Sequence, residues 1–252
     1  MKTAAVLSVV AFTLVRAGTS LALAPPASGL SMTWNDCPGG ATSSPDQTFA
    51  CNTESGFFPL VCSAVLDGTV ANLLGSELVV DVQMSTGLFP DWWRLDGSGP
   101  ASCRVGGAAA SFDFGAGCAD AWAAHGTGAI QGFAIGPPDH PALNQARIKI
   151  VSVVPSDSAV TLNPAVRYGI ADLLLFALRS TGGNTCGGCA TRACLVLNSI
   201  LLRRAPGQGP DVYLTTPAGP GTNWATWQGS GADCSLVPVR RSTWGEIKSL
   251  YR

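Results

Sequence analysis

The sequence predicts an all-β protein, a disulfide-stapled two-sheet β-sandwich with a short C-terminal helix. Three observations carry that reading. Charged residues are only 12% of the 252-residue chain, while it holds 30 glycines and 17 prolines. That balance suits short strands and turns and disfavours disorder and coiled coils. Apolar runs of strand length recur between turn-forming residues along most of the chain. Nine cysteines fit an oxidising compartment, where disulfides persist.

Residues 1–24 read as a secretory signal peptide: Lys2 gives the positive start, residues 4–15 are largely apolar, and Ser20, Ala22 and Ala24 are small. Cleavage is expected after Ala22 or Ala24; the other reading is a buried N-terminal helix. Arg16 interrupts the run, so it is too short to span a bilayer stably, and no later stretch reaches spanning length. Without Lys2 and Arg16, 13 basic residues face 16 acidic ones, a net charge of −3. There is no basic excess to hold nucleic acid or anionic lipid. A soluble or peripherally attached, secreted or cell-surface protein is expected, with the periplasm as the other compartment.

The sandwich is expected over residues 25–234. Residues 30–34 alternate apolar and polar, the period of a half-buried strand. Further strands are expected at 57–66, 77–84, 109–114, 129–135, 146–154, 167–178, 195–203 and 211–216, rich in residues that suit a pleated surface. Asp67-Gly68 and Asp96-Gly97 are turn dipeptides, and Pro137-Pro138 opposes a helix. Residues 171–178 could be helical by composition, but the alternation of Val166, Tyr168 and Ile170 favours a strand. No linker divides the sandwich. Residues 235–252 differ. Pro238, Arg240 and Arg241 form a basic connector, and Thr243 with Glu246 has the form of a capping box. Trp244, Ile247, Leu250 and Tyr251 then fall on one face of a two-turn helix, a candidate docking surface for a protein or surface partner.

Proximity in sequence pairs Cys37 with Cys51 and Cys103 with Cys118. Cys186, Cys189, Cys194 and Cys234 are expected to form two more bridges of open connectivity, leaving Cys62 a buried thiol. Cys186-x-x-Cys189-x4-Cys194 could hold zinc, but a second C-x-x-C and a nearby His are missing, so no metal or other cofactor is expected.

His125 and His140 are the only imidazoles, with Asp120 and Asp139 close by in sequence, yet no G-x-S-x-G elbow accompanies them. Both read as loop residues. The 13 Asp against 3 Glu suit turns, and no D-x-D-x-D-G calcium loop occurs. Trp92, Trp93, Trp224 and Trp227 could form an exposed platform that stacks on polysaccharide; the alternative is that they fill the core. If the chain is extended at Trp92 and Trp93, the two rings face opposite sides.

The segment from Cys186-Gly-Gly-Cys189 through Cys194-Leu-Val-Leu-Asn198-Ser199, and the ending Thr243-Trp-Gly-Glu-Ile-Lys-Ser-Leu-Tyr-Arg252, resemble a group of uncharacterised exported bacterial proteins. Trp34…Cys37…Phe49-Ala-Cys51-Asn52 and Asp91-Trp-Trp93…Cys103-Arg104 are similar too, while Cys62 departs from the pattern. The resemblance covers most of the chain after the leader and implies no catalytic residues. Gly75–Val82 and the strand near Tyr168–Phe176 carry a weaker similarity to cohesin-like sandwiches; immunoglobulin-like and jelly-roll arrangements fit the same strand pattern. The function expected is a non-catalytic extracytoplasmic or cell-surface structural or interaction module. Carbohydrate binding through exposed Trp is the alternative, and a secreted hydrolase is disfavoured because no nucleophile, base and orienting group can be assembled.

Overall fold

In chain order the strands are β1 (Gly29–Trp34), β2 (Asp46–Gln47), β3 (Phe57–Val65), β4 (Val70–Met84), β5 (Ala108–Ser111), β6 (Ala119–Asp120), β7 (Thr127–Ile135), β8 (Gln145–Val153), β9 (Val160–Leu162), β10 (Arg167–Phe176), β11 (Ala193–Arg204), β12 (Val212–Leu214) and β13 (Trp224–Trp227). The computed structural model describes residues 26–97, 103–114, 117–139, 141–229 and 234. One sheet has the order β1-β3-β10-β5, with β6 beside β10; the other has the order β2-β13-β11-β4-β8-β7, with β12 on β11 and β9 on β4. Pairing is antiparallel except where the two-residue strands β6 and β2 join β10 and β13. The architecture is an all-β, disulfide-stapled two-sheet sandwich. Residues 171–176 are strand, as the alternation before them requires.

The core lies between the sheets and is built by alternation. Leu78, Val80, Val82 and Met84 of β4 point inward, while Glu77, Asp81 and Gln83 point outward. Each large apolar side chain so buried contributes about 1.5–3 kcal/mol. Two bulges reset the period. In β10 the register shifts between Gly169 and Ala171, so Ile170 and Ala171 are both buried. In β11 the shift between Leu197 and Ser199 moves the inward positions from Leu195 and Leu197 to Ile200 and Leu202. At Gly75, β4 and β8 approach too closely for a side chain; a Cβ there would lie 2.3 Å from the Ser152 carbonyl oxygen.

The aromatic rings fill one end of the core, the reading set against an exposed platform. Trp92, Trp93 and Trp227 are fully buried, and Trp224 is half-buried. Trp92 and Trp93 sit in a 3-10 turn, Asp91–Trp93, rather than an extended segment. Successive side chains there diverge by about 120° instead of 180°, so both rings can enter the core. Trp227 contacts Trp34, Phe49, Phe58, Trp92 and Trp93 at centroid distances of 4.5–5.8 Å. Three indoles of this cluster are satisfied internally: Trp34 donates to the Thr226 carbonyl at 2.8 Å, Trp227 to the Cys189 carbonyl at 2.6 Å and Trp92 to the Ser180 hydroxyl at 2.8 Å.

The bridges are Cys37–Cys118, Cys51–Cys189, Cys103–Cys186 and Cys194–Cys234, with Cα–Cα distances of 5.6, 5.8, 5.9 and 5.3 Å. Cys62 is the free, buried thiol. The expected Cys37–Cys51 and Cys103–Cys118 pairs do not form. β1 belongs to one sheet and β2 to the other, so the chain crosses between sheets after Cys37 and carries Cys51 to the Trp227 end. Strand β5 separates Cys103 from Cys118 in the same way. Of the late cysteines only Cys194 and Cys234 pair with each other; Cys186 and Cys189 reach back to earlier loops.

Candidate functional site

The docking candidates Trp244, Ile247, Leu250 and Tyr251 lie outside the described residues, as does His140. Their attachment point is visible. Cys194 and Val196 face away from the main core and form a small second cluster with Trp224 and Cys234, so Cys234 is tied to the outer face of β11. Among the described residues no helix is long and apolar enough to cross a membrane.

Of the groups nearest to catalytic chemistry in the sequence, Asp120 serves the backbone and Asp139 an ion pair. His125 is exposed in the turn after β6. The Asp120 carboxylate accepts hydrogen bonds from the Trp122 and Ala124 backbone N–H groups. It thereby supports a turn in which Ala123 and Ala124 take φ of 50° and 63°, a left-handed conformation that side chains other than Gly adopt at a cost. Asp139 pairs with Arg147, which also holds Asp81 through two bonds of 2.7 and 2.8 Å; this network pins the loop before β8 to the outer face of the sheet. Carboxylate hydrogen bonds, led by Asp81, raise the Arg147 pKa further above its ordinary value.

Arg104 is 1% exposed and stacks over Trp92, its guanidinium carbon 4.0 Å from the ring centroid. It donates to the Leu178 and Gly107 carbonyls, and burial lowers its pKa to about 10. Sequence reading did not single it out, yet it anchors the segment around the Cys103–Cys186 bridge.

A further cluster was also missed. In β10, Ala171, Leu173 and Leu175 enter the core, so Asp172 points out of the opposite face, in register with Val61 of β3 and Ser111 of β5. It is nevertheless only 6% exposed. It lines a cavity of about 20 Å³ together with Asn35, Asp36, Val61, Phe114 and the Cys37–Cys118 bridge. Asp172 Oδ1 has no hydrogen-bond partner. Burial, with Asp113 and then Asp36 adding repulsion, pushes the Asp172 carboxyl up to about 7. Burial first and the Asp172 charge second also push the Cys62 thiol well above its ordinary range, so Cys62 is not a nucleophile in the folded chain. The signal in the sequence was a lone acid inside the apolar run of β10. Among the described residues no three His, Cys, Asp or Glu side chains converge as a metal cage.

The fold is a disulfide-rich two-sheet β-sandwich. No family model matches the chain, and no curated protein or solved structure matches it.

Proposed function

We propose that the chain is an exported, non-catalytic extracytoplasmic or cell-surface module whose segment 235–252 docks it to a protein or surface partner. The observation that carries this reading is the set of four disulfides. They join positions separated by 40 to 138 residues, a stapling that needs an oxidising compartment. The signal-peptide pattern and the resemblance to exported bacterial proteins support the same compartment. The docking role rests on the chemistry of the tail. A connector with Pro238, Arg240 and Arg241 leads to the helical face predicted from the sequence, with Trp244 and Tyr251, rings enriched at interfaces. Two helical turns do not hold themselves together in water, so that face needs something to pack on.

The test compares the full chain with one ending at residue 234 in the native cell. The expected result is an unchanged melting temperature for the shortened protein and its release from the envelope into the medium. If the tail instead caps the sandwich, stability falls by several kcal/mol, since four buried apolar side chains are worth about 1.5–3 kcal/mol each. That loss, with retention unchanged among the folded molecules, overturns the docking role.

A further inference from the structure

We propose that β7 is a dimerisation edge, which pairs antiparallel with β7 of a second copy of this chain about a two-fold axis between Gln131 and Gly132. Strand β7 ends the larger sheet. Strand β8 pairs with one side of it, and among the described residues no strand or backbone hydrogen bond occupies the other. An edge of nine residues offers alternate N–H and C=O groups to any chain that can lie along it, and native proteins guard such edges with charge, proline or a covering loop. The sequence of β7, Thr-Gly-Ala-Ile-Gln-Gly-Phe-Ala-Ile, holds no charged residue and no proline. The other edges are covered or short. Residues 216–222 lie along β1, where the Leu30 N–H donates to the Thr216 carbonyl and the Met32 N–H to the Thr222 carbonyl. Strands β2, β5 and β12 are two to four residues long.

The two faces of β7 decide which strand fits it. Ile130 and Phe133 pair with the core residues Ile150 and Ile148 and so face inward, as do Gly128 opposite Ser152 and Ile135 opposite Ala146. Ala129 and Ala134, beside Val151 and Arg147, face outward. The bulge between Ile130 and Gly132 shifts the phase by one residue. The inward positions before it are therefore the mirror of those after it, about the point between Gln131 and Gly132. A two-fold axis there sets Ile130 against Phe133 of the second copy, Gly128 against Ile135, Ala129 against Ala134 and Gln131 against Gly132. Every inward residue then opposes an inward one, as antiparallel pairing requires, and the two bulges coincide on the axis. The contact is self-complementary, and no like charges oppose each other because the strand has none.

Apolar surface extends this contact at both ends. Beside the C-terminal half of β7, Leu88 and Leu143 are 64% and 62% exposed. The Leu143 carbonyl accepts the Phe89 N–H, and the Phe89 ring lies 5.9 Å from that of Phe133. At the other end Val153, opposite Thr127, is 53% exposed. The two-fold axis brings the leucine end of each copy to the Val153 end of the other. Behind the edge, Ile130, Phe133 and Ile148 line a cleft of about 260 Å³ with Leu95 and Ala108, and the paired Ile130 and Phe133 side chains lie over it. One strand pair with such flanks falls at the low end of specific interfaces, so the affinity belongs in the micromolar range.

The experiment measures the mass of the mature full chain by sedimentation equilibrium from about 1 to about 100 µM, with hydrogen exchange of the β7 amides at both ends of that range. The expected result is a monomer–dimer equilibrium in which these amides gain protection only as the dimer forms. Ala129 and Ala134 are exposed, so substitutions there should leave the fold and the melting temperature unchanged. Ala129→Lys with Ala134→Lys sets lysine against lysine twice across the axis and should weaken dimerisation by about tenfold or more. Ala129→Lys with Ala134→Glu sets opposite charges together at the same two places and should restore it. A monomer throughout the range in the unmodified chain overturns the proposal. So does a dimer that the two-lysine variant leaves unchanged, which would place the interface elsewhere, and so does failure of the lysine–glutamate variant to restore association. Protection of the β7 amides in the monomer also overturns it, since a segment of the same chain, such as residues 235–252, would then cover the edge.

Discussion

Asp172 shows how one side chain couples the fold to pH. Its carboxyl titrates near 7 in the folded chain, whereas a carboxyl in an unfolded chain titrates near about 4. Between those values the folded state keeps a proton that the unfolded state has released. The contribution of this group to stability is therefore full below about pH 4, declines as pH rises and is lost above about pH 7. At roughly 1.4 kcal/mol per pH unit, the most it can amount to is about 4 kcal/mol. Denaturation across this pH range should show this decline, and Asp172→Asn should remove it and be the more stable protein at about pH 8. An unchanged pH profile in the variant would mean that Asp172 carries no such penalty. The residue was half legible in the sequence. A single acid among Ile170, Ala171, Leu173 and Leu175 stands out, but its burial depends on Phe114 and the Cys37–Cys118 bridge, which come from distant parts of the chain.

Disulfides and turns determine how the elements are joined, and local sequence was least informative about both. Cys37 and Cys51 are near neighbours in the chain, but β2 joins the second sheet and moves Cys51 next to Gln228, where its sulfur lies 3.2 Å from Nε2. Trp92 and Trp93 looked amphipathic as an extended pair; a single 3-10 turn puts both in the core. The bridge with the largest sequence separation, Cys51–Cys189, should matter most for stability, because a cross-link over a long loop restricts the unfolded chain most. Replacing both cysteines by Ala should cost about 2–5 kcal/mol by denaturant titration. A cost below about 1 kcal/mol would show that the aromatic cluster around Trp227 holds this end of the sandwich without the bridge.

At the scale of the whole molecule, the sandwich was legible because its long strands carry their period openly. All nine expected strands form, and the four others among the described residues, β2, β6, β9 and β13, are two to four residues long and too short to show one. Strand β4 starts at Val70, ahead of the expected residue 77, because its first part pairs with the short β9 and the rest with β8. The order of strands within the sheets was not legible, since pairing between distant segments leaves no local mark. Export of the chain and its locking by four disulfides with one buried thiol are both read by an intact-mass measurement. The protein is taken from its native cells, denatured without reductant and treated with a thiol-alkylating reagent. The expected product is a chain starting after Ala22 or Ala24, lacking eight hydrogens relative to the reduced form and carrying one alkyl group, on Cys62. A chain that retains residues 1–24 and takes up nine alkyl groups would contradict it.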